Sequence, residues 1–218
     1  MTANVTSVLV GRVAPFGPKG EPSGFRKSEV TGPVSIGRLG LNGDEQADRK
    51  HHGGPDKAIL NYAFDHYARW RDERQQLASQ LAGPGAFGEN ISTCGLTEDD
   101  VCIGDRFRLG SATVEVSQGR QPCWKLGHRF GEPAIVQAVI RTGRCGWYYR
   151  VLRAGEVAAG DALELVERPH AEWTVATAFG LIVRGDRDLE ALQALAELPS
   201  LSSSWREKAR RRTTNERC

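Results

Sequence analysis

The chain has 218 residues, 39% of them hydrophobic and 26% charged, as expected for a soluble globular protein with one sizeable domain and an appendage. A formal net charge of only +2 argues against strong attraction to nucleic acid or to anionic lipid, so stable nucleic-acid binding is not expected. No apolar run approaches the roughly 18 residues that a membrane span needs, and no export signal is visible. We therefore expect a cytoplasmic protein that does not enter a membrane.

Up to residue 167, short apolar runs alternate with turns rich in Gly, Pro and Asp. The pattern predicts strands over residues 5–10, 58–62 and 162–166, and a hairpin over residues 105–116. Two helices are predicted between them, over residues 65–81, with Asp65 as N-cap, and over residues 133–142. Many short strands of this kind predict a mainly β domain over residues 1–167, folded as a barrel or a sandwich.

After residue 168 the pattern becomes helical. Residues 172–183 are compatible with a helix, a second helix follows Asp188 and stops at Pro199, and Ser204 with Glu207 matches a capping box that begins a third. We expect residues 168–218 to form a small three-helix accessory unit whose last residues, 213–218, are disordered. The basic run 208–212 favours a solvated helix end over a nucleic-acid contact.

Cys123 is the strongest candidate for chemistry. Arg120 and Lys125 lie within three residues of it, and nearby cations favour the reactive thiolate. The preceding Pro122 stiffens the approach to the thiol. A free cysteine is also often buried and inert, so both interpretations stay open at this point. The five cysteines, none in a C-x-x-C pair, indicate reduced thiols and no zinc ribbon or iron–sulfur pattern; they are Cys94, Cys102, Cys123, Cys145 and Cys218.

Two further segments are rich in polar groups. Residues 50–57 read Lys-His-His-Gly-Gly-Pro-Asp-Lys, and paired glycines let backbone amides approach a ligand closely. A plain polar turn is slightly favoured there, and no second ligand pair supports a zinc site. Glu89 and Asn90 can hydrogen-bond a heterocycle or cap a turn, and the turn is favoured. The glycines form neither a dinucleotide-binding nor a Walker pattern.

In combination, these motifs resemble the MOSC family, the domain type named after the molybdenum-cofactor sulfurase C-terminus. The resemblance follows the chain in order through residues 40–48, 52–58, 62, 87–90, 95–97, 104–105, 117–126 and 146–148. The tail resembles the three-helix extension of the YiiM-like branch. Each motif alone is weak evidence for the family, but the complete set in this order is specific to it.

The resemblance implies a closed, pyruvate-kinase-like β-barrel with a molybdenum cofactor at its mouth and Cys123 as the metal ligand. A thiolate suits such a soft metal centre. The same resemblance suggests cofactor contacts from Gly53, Gly54, Asp56, Lys57, Tyr62, Asn90, Arg120 and Lys125. Pyridoxal phosphate binding is a further expectation attached to the family.

The YiiM-like branch is similar in activity to reductases of N-hydroxylated compounds such as 6-N-hydroxylaminopurine. We hypothesise that His52 protonates the leaving hydroxyl, since histidine titrates near neutral pH. The sequence has no flavin, nicotinamide or iron–sulfur motif, so an external flavin or iron–sulfur reductase is expected to supply electrons. The accessory helices or the basic tail are candidates for its docking surface. A monomer or a homodimer is expected.

Two other function classes remain possible. One is a binding module that carries the molybdenum cofactor or sulfur without turnover. The other is a Cys–His hydrolase or transferase, with Cys123 as nucleophile and His52 as base.

Overall fold

The computed structural model describes residues 1–48 and 52–215 of the chain. The helices in this part are α1 (Asp65–Glu73), α2 (Trp124–Phe130), α3 (Ala134–Thr142), α4 (Val175–Phe179), α5 (Leu189–Glu197) and α6 (Ser203–Asn215). The strands are β1 (Thr2–Val10), β2 (Ala14–Pro15), β3 (Pro22–Ser23), β4 (Ser28–Glu29), β5 (Val34–Gly37), β6 (Gly40–Leu41), β7 (Ile59–Ala63), β8 (Ile91–Cys94), β9 (Arg106–Leu109), β10 (Ala112–Gly119), β11 (Trp147–Arg153), β12 (Gly155–Val157) and β13 (Ala162–Glu167).

The main sheet closes on itself. Its strands follow the order β13-β9-β10-β11-β7-β8-β1, and β1 then pairs with β13, with Ala3 opposite Leu163. Closure leaves these seven strands without a free edge. The closed barrel and the helical C-terminus that the sequence predicts are thereby confirmed.

One rim of the barrel collects several strand ends. β10 ends at Gly119 opposite the first residue of β11, Trp147. β8 begins at Ile91, which lies opposite Val8 near the end of β1 and beside Asn61 of β7. The loops that leave these strands therefore start close together, as barrel geometry requires.

β10 is buried on both of its faces. Val114 and Val116 belong to the barrel core. On the other side, the backbone N–H of Ser202 donates to the carbonyl of Ser117 at 2.9 Å, and Gly119 packs against the Trp205 ring. A methyl group added at Gly119 would lie only 3.0 Å from that ring, so the strand and the three-helix unit approach as closely as a glycine allows.

The predicted strands and the hairpin are confirmed, with small shifts of their ends. The helix predicted over residues 133–142 is also confirmed, as Ala134–Thr142. The prediction of one helix over residues 65–81 is wrong in its second half. α1 ends at Glu73, because Arg74 leaves the helical region (φ −141°, ψ 66°), and a 3₁₀ turn follows over Gln75–Leu77. Asp65 does not cap α1; its carboxylate accepts from the Gly95 N–H at 3.1 Å.

The capping residues in the C-terminal unit also differ from the prediction. α4 begins only at Val175, where Thr174 accepts from the Thr177 N–H, and a π-helical turn over Gly180–Arg184 continues it. Ser202, not Ser204, accepts from the Trp205 N–H at the start of α6, at 3.2 Å. α6 continues to Asn215, so residues 213–215 are helical instead of disordered, and residues 216–218 lie outside the described part. None of the helices in the described ranges has the length and apolar character that a bilayer span requires.

A buried ion pair links the end of the barrel to its core. Arg168 donates to both carboxylate oxygens of Asp105, at 2.9 and 2.6 Å, and Asp105 is fully buried. The Cys102 N–H donates to the same carboxylate at 2.8 Å. Two parallel charge-assisted bonds make this a strong contact.

We expect Arg168→Ala to lower the free energy of unfolding by about 3 kcal/mol, because the buried Asp105 carboxylate loses its counter-charge. Arg184→Ala removes an exposed pair with Asp186 and serves as the control, with an expected loss below about 1 kcal/mol. Urea unfolding of both variants measures the difference. Equal losses of unfolding free energy in the two variants would contradict the description of the Arg168–Asp105 pair as a strong contact.

Candidate active site

Cys123 lies where the barrel passes into a helix. β10 ends at Gly119, and the segment that follows brings Cys123, with extended backbone, directly before α2. Its carbonyl accepts from the Leu126 N–H at 3.0 Å, which starts the first turn of that helix. The sequence analysis did not predict α2. The thiol is half-buried, unlike the inert, fully buried cysteine of the alternative interpretation.

The Cys123 side chain lines a cleft at the barrel rim described above. The cleft holds about 520 Å³ of space, including solvent at its mouth. Several predicted site residues line it together: His52, Lys57, Asn90, Arg120, Cys123 and Lys125. The structure also adds side chains to which the sequence analysis gave no role, among them Phe25, Lys27, Gln46 and Tyr148.

Arg120 is a buried cation with an unused donor. Its Nη2 donates to the Phe87 carbonyl at 3.3 Å, but Nη1 is buried without a hydrogen-bond partner in the described part of the chain. Leaving such a donor unsatisfied costs free energy, which an acceptor bound in the cleft would recover. The orphaned donor therefore marks a place for an anionic ligand group.

A buried hydrogen-bond chain fixes the backbone of Arg120. The Arg120 N–H donates to the Gly146 carbonyl at 2.9 Å, and the Gly146 N–H donates to the Glu98 carboxylate at 2.6 Å. The second Glu98 oxygen lies 2.6 Å from Nε2 of His66 on α1. The position of the cation thus depends on groups that lie outside the cleft.

His52 lies in a positive field. Burial, with the nearby charges of Lys125, Arg120 and Lys57, lowers the pKa of His52 to about 4, although Asp48 partly opposes the shift. The imidazole is therefore neutral near pH 7 in the ligand-free cleft. It can accept or donate a hydrogen bond, but it carries no positive charge there.

Lys27 and Asp44 form a buried pair at the cleft wall. Their side chains are 2% and 5% exposed, and Nζ lies 2.5 Å from Oδ1. Asp44 also accepts from the Gly11 N–H at 2.8 Å. The pKa of Lys27 is lowered overall, because the effect of burial exceeds the opposing effect of Asp44. The pair ties the loop after β6 to the segment before β4 and brings Lys27 to the cleft.

Glu89 organises the loop that carries Phe87. Its carboxylate accepts from the Tyr67 hydroxyl at 2.5 Å and from the Gly85 and Phe87 N–H groups at 2.7 and 3.1 Å. These contacts confirm that Glu89 stabilises a turn. They also occupy its carboxylate, so Glu89 is not available to bind a heterocycle. Asn90 faces the cleft, but its amide also bridges strands: Oδ1 accepts from Leu60 N–H at 3.1 Å.

The remaining predicted cofactor residues lie elsewhere. Asp56 pairs with Arg150 at 2.9 Å. Tyr62 is fully buried, accepts from Trp70 Nε1 at 2.7 Å and stacks on Phe87. Gly53 and Gly54 line a neighbouring hollow with Asp44 and Gln46. Lys50 and His51 lie outside the described residues.

Cys145 does not share the cleft, contrary to the possibility that its sequence neighbour Arg144 raised. It is 1% exposed, and burial raises the pKa of its thiol well above the ordinary value, with a further contribution from Glu98. Cys94 does not line the cleft either. In the described ranges no three His, Cys, Asp or Glu side chains meet as a metal site.

Tyr148 is the functional candidate that the sequence analysis passed over. It is the second residue of β11, lies beside the cleft and is paired with Leu60 of β7. The pKa of its phenol is raised overall, because burial outweighs the lowering effect of Arg120 and Cys123 adds to the rise. The hydroxyl therefore keeps its proton at neutral pH. The Gly-Trp-Tyr motif was visible in the sequence, but nothing local showed that its tyrosine meets Cys123.

Comparison with known proteins agrees with this arrangement. Residues 48–164 match the MOSC domain, and residues 173–214 match the YiiM-like, 3-alpha helix domain. The chain belongs to the MOSC domain family. It is 42% identical to Protein YiiM of Escherichia coli K12 over 91% of this chain and 87% of that protein. A protein of Gibberella moniliformis named "Reductase" is 39% identical over 88% of this chain, which covers 34% of that longer protein.

The fold matches a solved relative closely. The crystal structure of YiiM from Geobacillus stearothermophilus superposes with a TM-score of 0.81 at 34% identity, covering 97% of this chain and 99% of that one. The family resemblance is thus confirmed. The division of the chain at residues 167 and 168 stays a prediction.

The cleft fits the cofactor implied by the family. One thiol, without a cluster of three His, Cys, Asp or Glu side chains among the described residues, suits a metal that arrives within an organic cofactor rather than a metal bound by side chains alone. The unused Arg120 donor and the surrounding cations suit an anionic cofactor.

We expect an NMR titration of the ligand-free protein to give His52 a pKa of about 4. Lys125→Gln should raise this pKa, since it removes the strongest of the nearby positive charges. Lys19→Gln removes an exposed charge that is not among these causes and should leave it unchanged. A wild-type His52 that titrates near 6.5 would contradict the electrostatic description.

Proposed function

We propose that this protein is a molybdenum-cofactor-dependent reductase of N-hydroxylated compounds such as 6-N-hydroxylaminopurine. The observation that carries the proposal is the meeting of the Cys123 thiol with the orphaned Arg120 donor in one cationic cleft. Membership of the MOSC family and the fungal relative named "Reductase" support a redox role.

Several residues would hold the cofactor. Cys123 would bind the metal as a thiolate, and Arg120, Lys57 and Lys125 would face the anionic phosphate, with the Gly53–Gly54 turn close by. When bound, the cofactor supplies the two electrons of the reduction. Asp56 and Tyr62 are left out of this set because other side chains already engage them.

The overall reaction needs protons as well as electrons. R–NH–OH takes up two electrons and two protons, the N–O bond breaks, and R–NH₂ and water leave. His52 and Tyr148 line the cleft and are the side chains placed to hold these protons. An anionic ligand would offset the charges of Lys125 and Arg120, raise the pKa of His52 and let the imidazole carry a proton near neutral pH.

The electrons would come from a separate protein, a flavin or iron–sulfur reductase, because the sequence carries no motif for such a group of its own. The docking surface on the accessory helices stays a prediction. Pyridoxal phosphate binding also stays a prediction, and no contact in the cleft singles it out.

The hydrolase alternative is less well supported by the cleft. A histidine with a pKa of about 4 is a weak base, so His52 would deprotonate a thiol poorly. The carrier alternative differs from the reductase only in turnover, and a reduction assay separates them.

We expect Cys123→Ala to lose stoichiometric molybdenum when the protein is made in a host that synthesises the cofactor, because the metal loses its protein ligand. The same variant should lose reduction of 6-N-hydroxylaminopurine with reduced viologen as donor. Cys94→Ala is the matched control and should keep both. Metal analysis and product formation measure the two effects.

Full molybdenum content in Cys123→Ala would rule out the proposed metal ligand. Stoichiometric molybdenum in the wild type without reduction of any N-hydroxylated compound would favour the carrier alternative instead.

We expect His52→Gln to lower kcat by about 100-fold, as for loss of a general acid, and to remove the fall in rate as pH rises through the His52 pKa of the loaded enzyme. Glutamine cannot titrate, so that limb should disappear. His128→Gln changes an exposed histidine of α2 and should keep the wild-type profile. A full rate for His52→Gln at every pH would end the proton-donor hypothesis.

A further inference from the structure

A second compartment opens beside the cleft, between the segment that carries Cys123 and helix α6. The two spaces adjoin, since four side chains line both of them: His52, Lys57, Cys123 and Tyr148. The far wall of the second compartment comes from the three-helix unit, through Ser204, Trp205 and Lys208. A ligand that reaches Cys123 can therefore extend onto α6.

Lys208 is the charged group of this wall. Its Nζ donates to Oε1 of Gln121, two residues before Cys123. Burial lowers the pKa of Lys208, and the charge of Lys208 in turn contributes to lowering the pKa of Lys57. The two lysines therefore lie close enough to repel each other across a partly desolvated space.

Among the described residues, the lining of the compartment supplies no carboxylate to Lys208, whereas Asp48 and Asp56 already act on Lys57. Lys208 has no acidic partner in the described part of the chain, in contrast to Arg210 and Arg211 of the same helix, which pair with Glu197 and Glu207. An anionic ligand group placed here would gain a charge-assisted hydrogen bond and relieve the repulsion.

The position of Lys208 is set by contacts with β10 and its neighbours. Gln118 Oε1 accepts from the hydroxyls of Ser202 and Ser204, at 2.7 and 3.2 Å. The Ser203 N–H donates to the Asp56 carboxylate at 3.2 Å. These bonds fix the first turn of α6, and Lys208 follows on the next turn. The fold thus sets the backbone position of Lys208, and its side chain is half-buried.

Resting on the proposed reductase function, we propose that this compartment is a substrate subsite in which Lys208 binds an acidic group of the N-hydroxylated substrate. The acidic group is a carboxylate or a phosphate, and the N–OH group of the same molecule enters the main cleft. The orphaned Arg120 donor lies in the main cleft and serves the cofactor, which leaves Lys208 for the substrate.

The test uses the cofactor-loaded protein and a matched pair of probes. One is benzamidoxime with a para-carboxylate, the other is benzamidoxime with a para-carboxamide, and a para-phosphonate forms a third arm. Calorimetry without an electron donor measures the Kd of each. Reduction of each with reduced viologen gives KM and kcat separately.

We expect the wild type to bind the carboxylate about ten-fold more tightly than the carboxamide, the effect of one partly exposed charge-assisted hydrogen bond. Lys208→Gln should abolish that ratio without loss of molybdenum, and Lys208→Arg should restore it. Arg211→Gln removes an exposed charge of the same helix and should leave the ratio unchanged. If the phosphonate binds more tightly than the carboxylate, the subsite is assigned to phosphate. If the phosphonate binds more weakly, the subsite is assigned to carboxylate.

The proposal is overturned if Lys208→Gln keeps the ten-fold ratio, or if the wild type binds both probes equally. Loss of molybdenum in Lys208→Gln would also overturn it, because Lys208 would then hold the cofactor. If the binding ratio behaves as expected but no probe is reduced, the reductase function fails and the anion subsite stands.

Discussion

The pairing of β1 with β13 is the constraint on which the site depends. Once the seven strands close, the end of β10, the start of β11, the start of β8 and the end of β1 must share one rim. Residues that are far apart in sequence, such as Lys27, Asn90 and Cys123, then face the same cleft. No local feature of these segments would bring them together without closure.

Within that frame, electrostatics gives the cleft its character. Burial and mutual repulsion make the cations of the cleft costly, and Asp44 balances the charge of its buried partner Lys27. Burial, with a further contribution from the neighbouring cations, depresses the pKa of His52, and Arg120 keeps a buried donor without an acceptor among the described residues. A cationic cleft that contains the Cys123 thiol suits an anionic ligand, whose binding would lower the free energy of the site.

The sequence was sufficient for the barrel and the helical tail, because ordered motifs and period-2 alternation report on local structure and on family. It also singled out Cys123, which the structure brings to the cleft. It was insufficient where a role depends on a distant partner. Asp56 appeared to be a ligand contact but pairs with Arg150, 94 positions away, and Tyr62 appeared accessible but is enclosed by Trp70 and Phe87. Lys208 belonged to a basic run that predicted a solvated helix end, and only the docking of α6 on Gln118 shows that it faces the site.

The close contact between Gly119 and Trp205 has a consequence for the order of biosynthesis. β10 needs the three-helix unit to cover its second face, and α6 is the last helix of the described chain. During translation the barrel strands leave the ribosome before α6, so β10 waits with its second face uncovered. The second compartment, which Trp205 and Lys208 of α6 help to enclose, is therefore complete only after α6 has emerged.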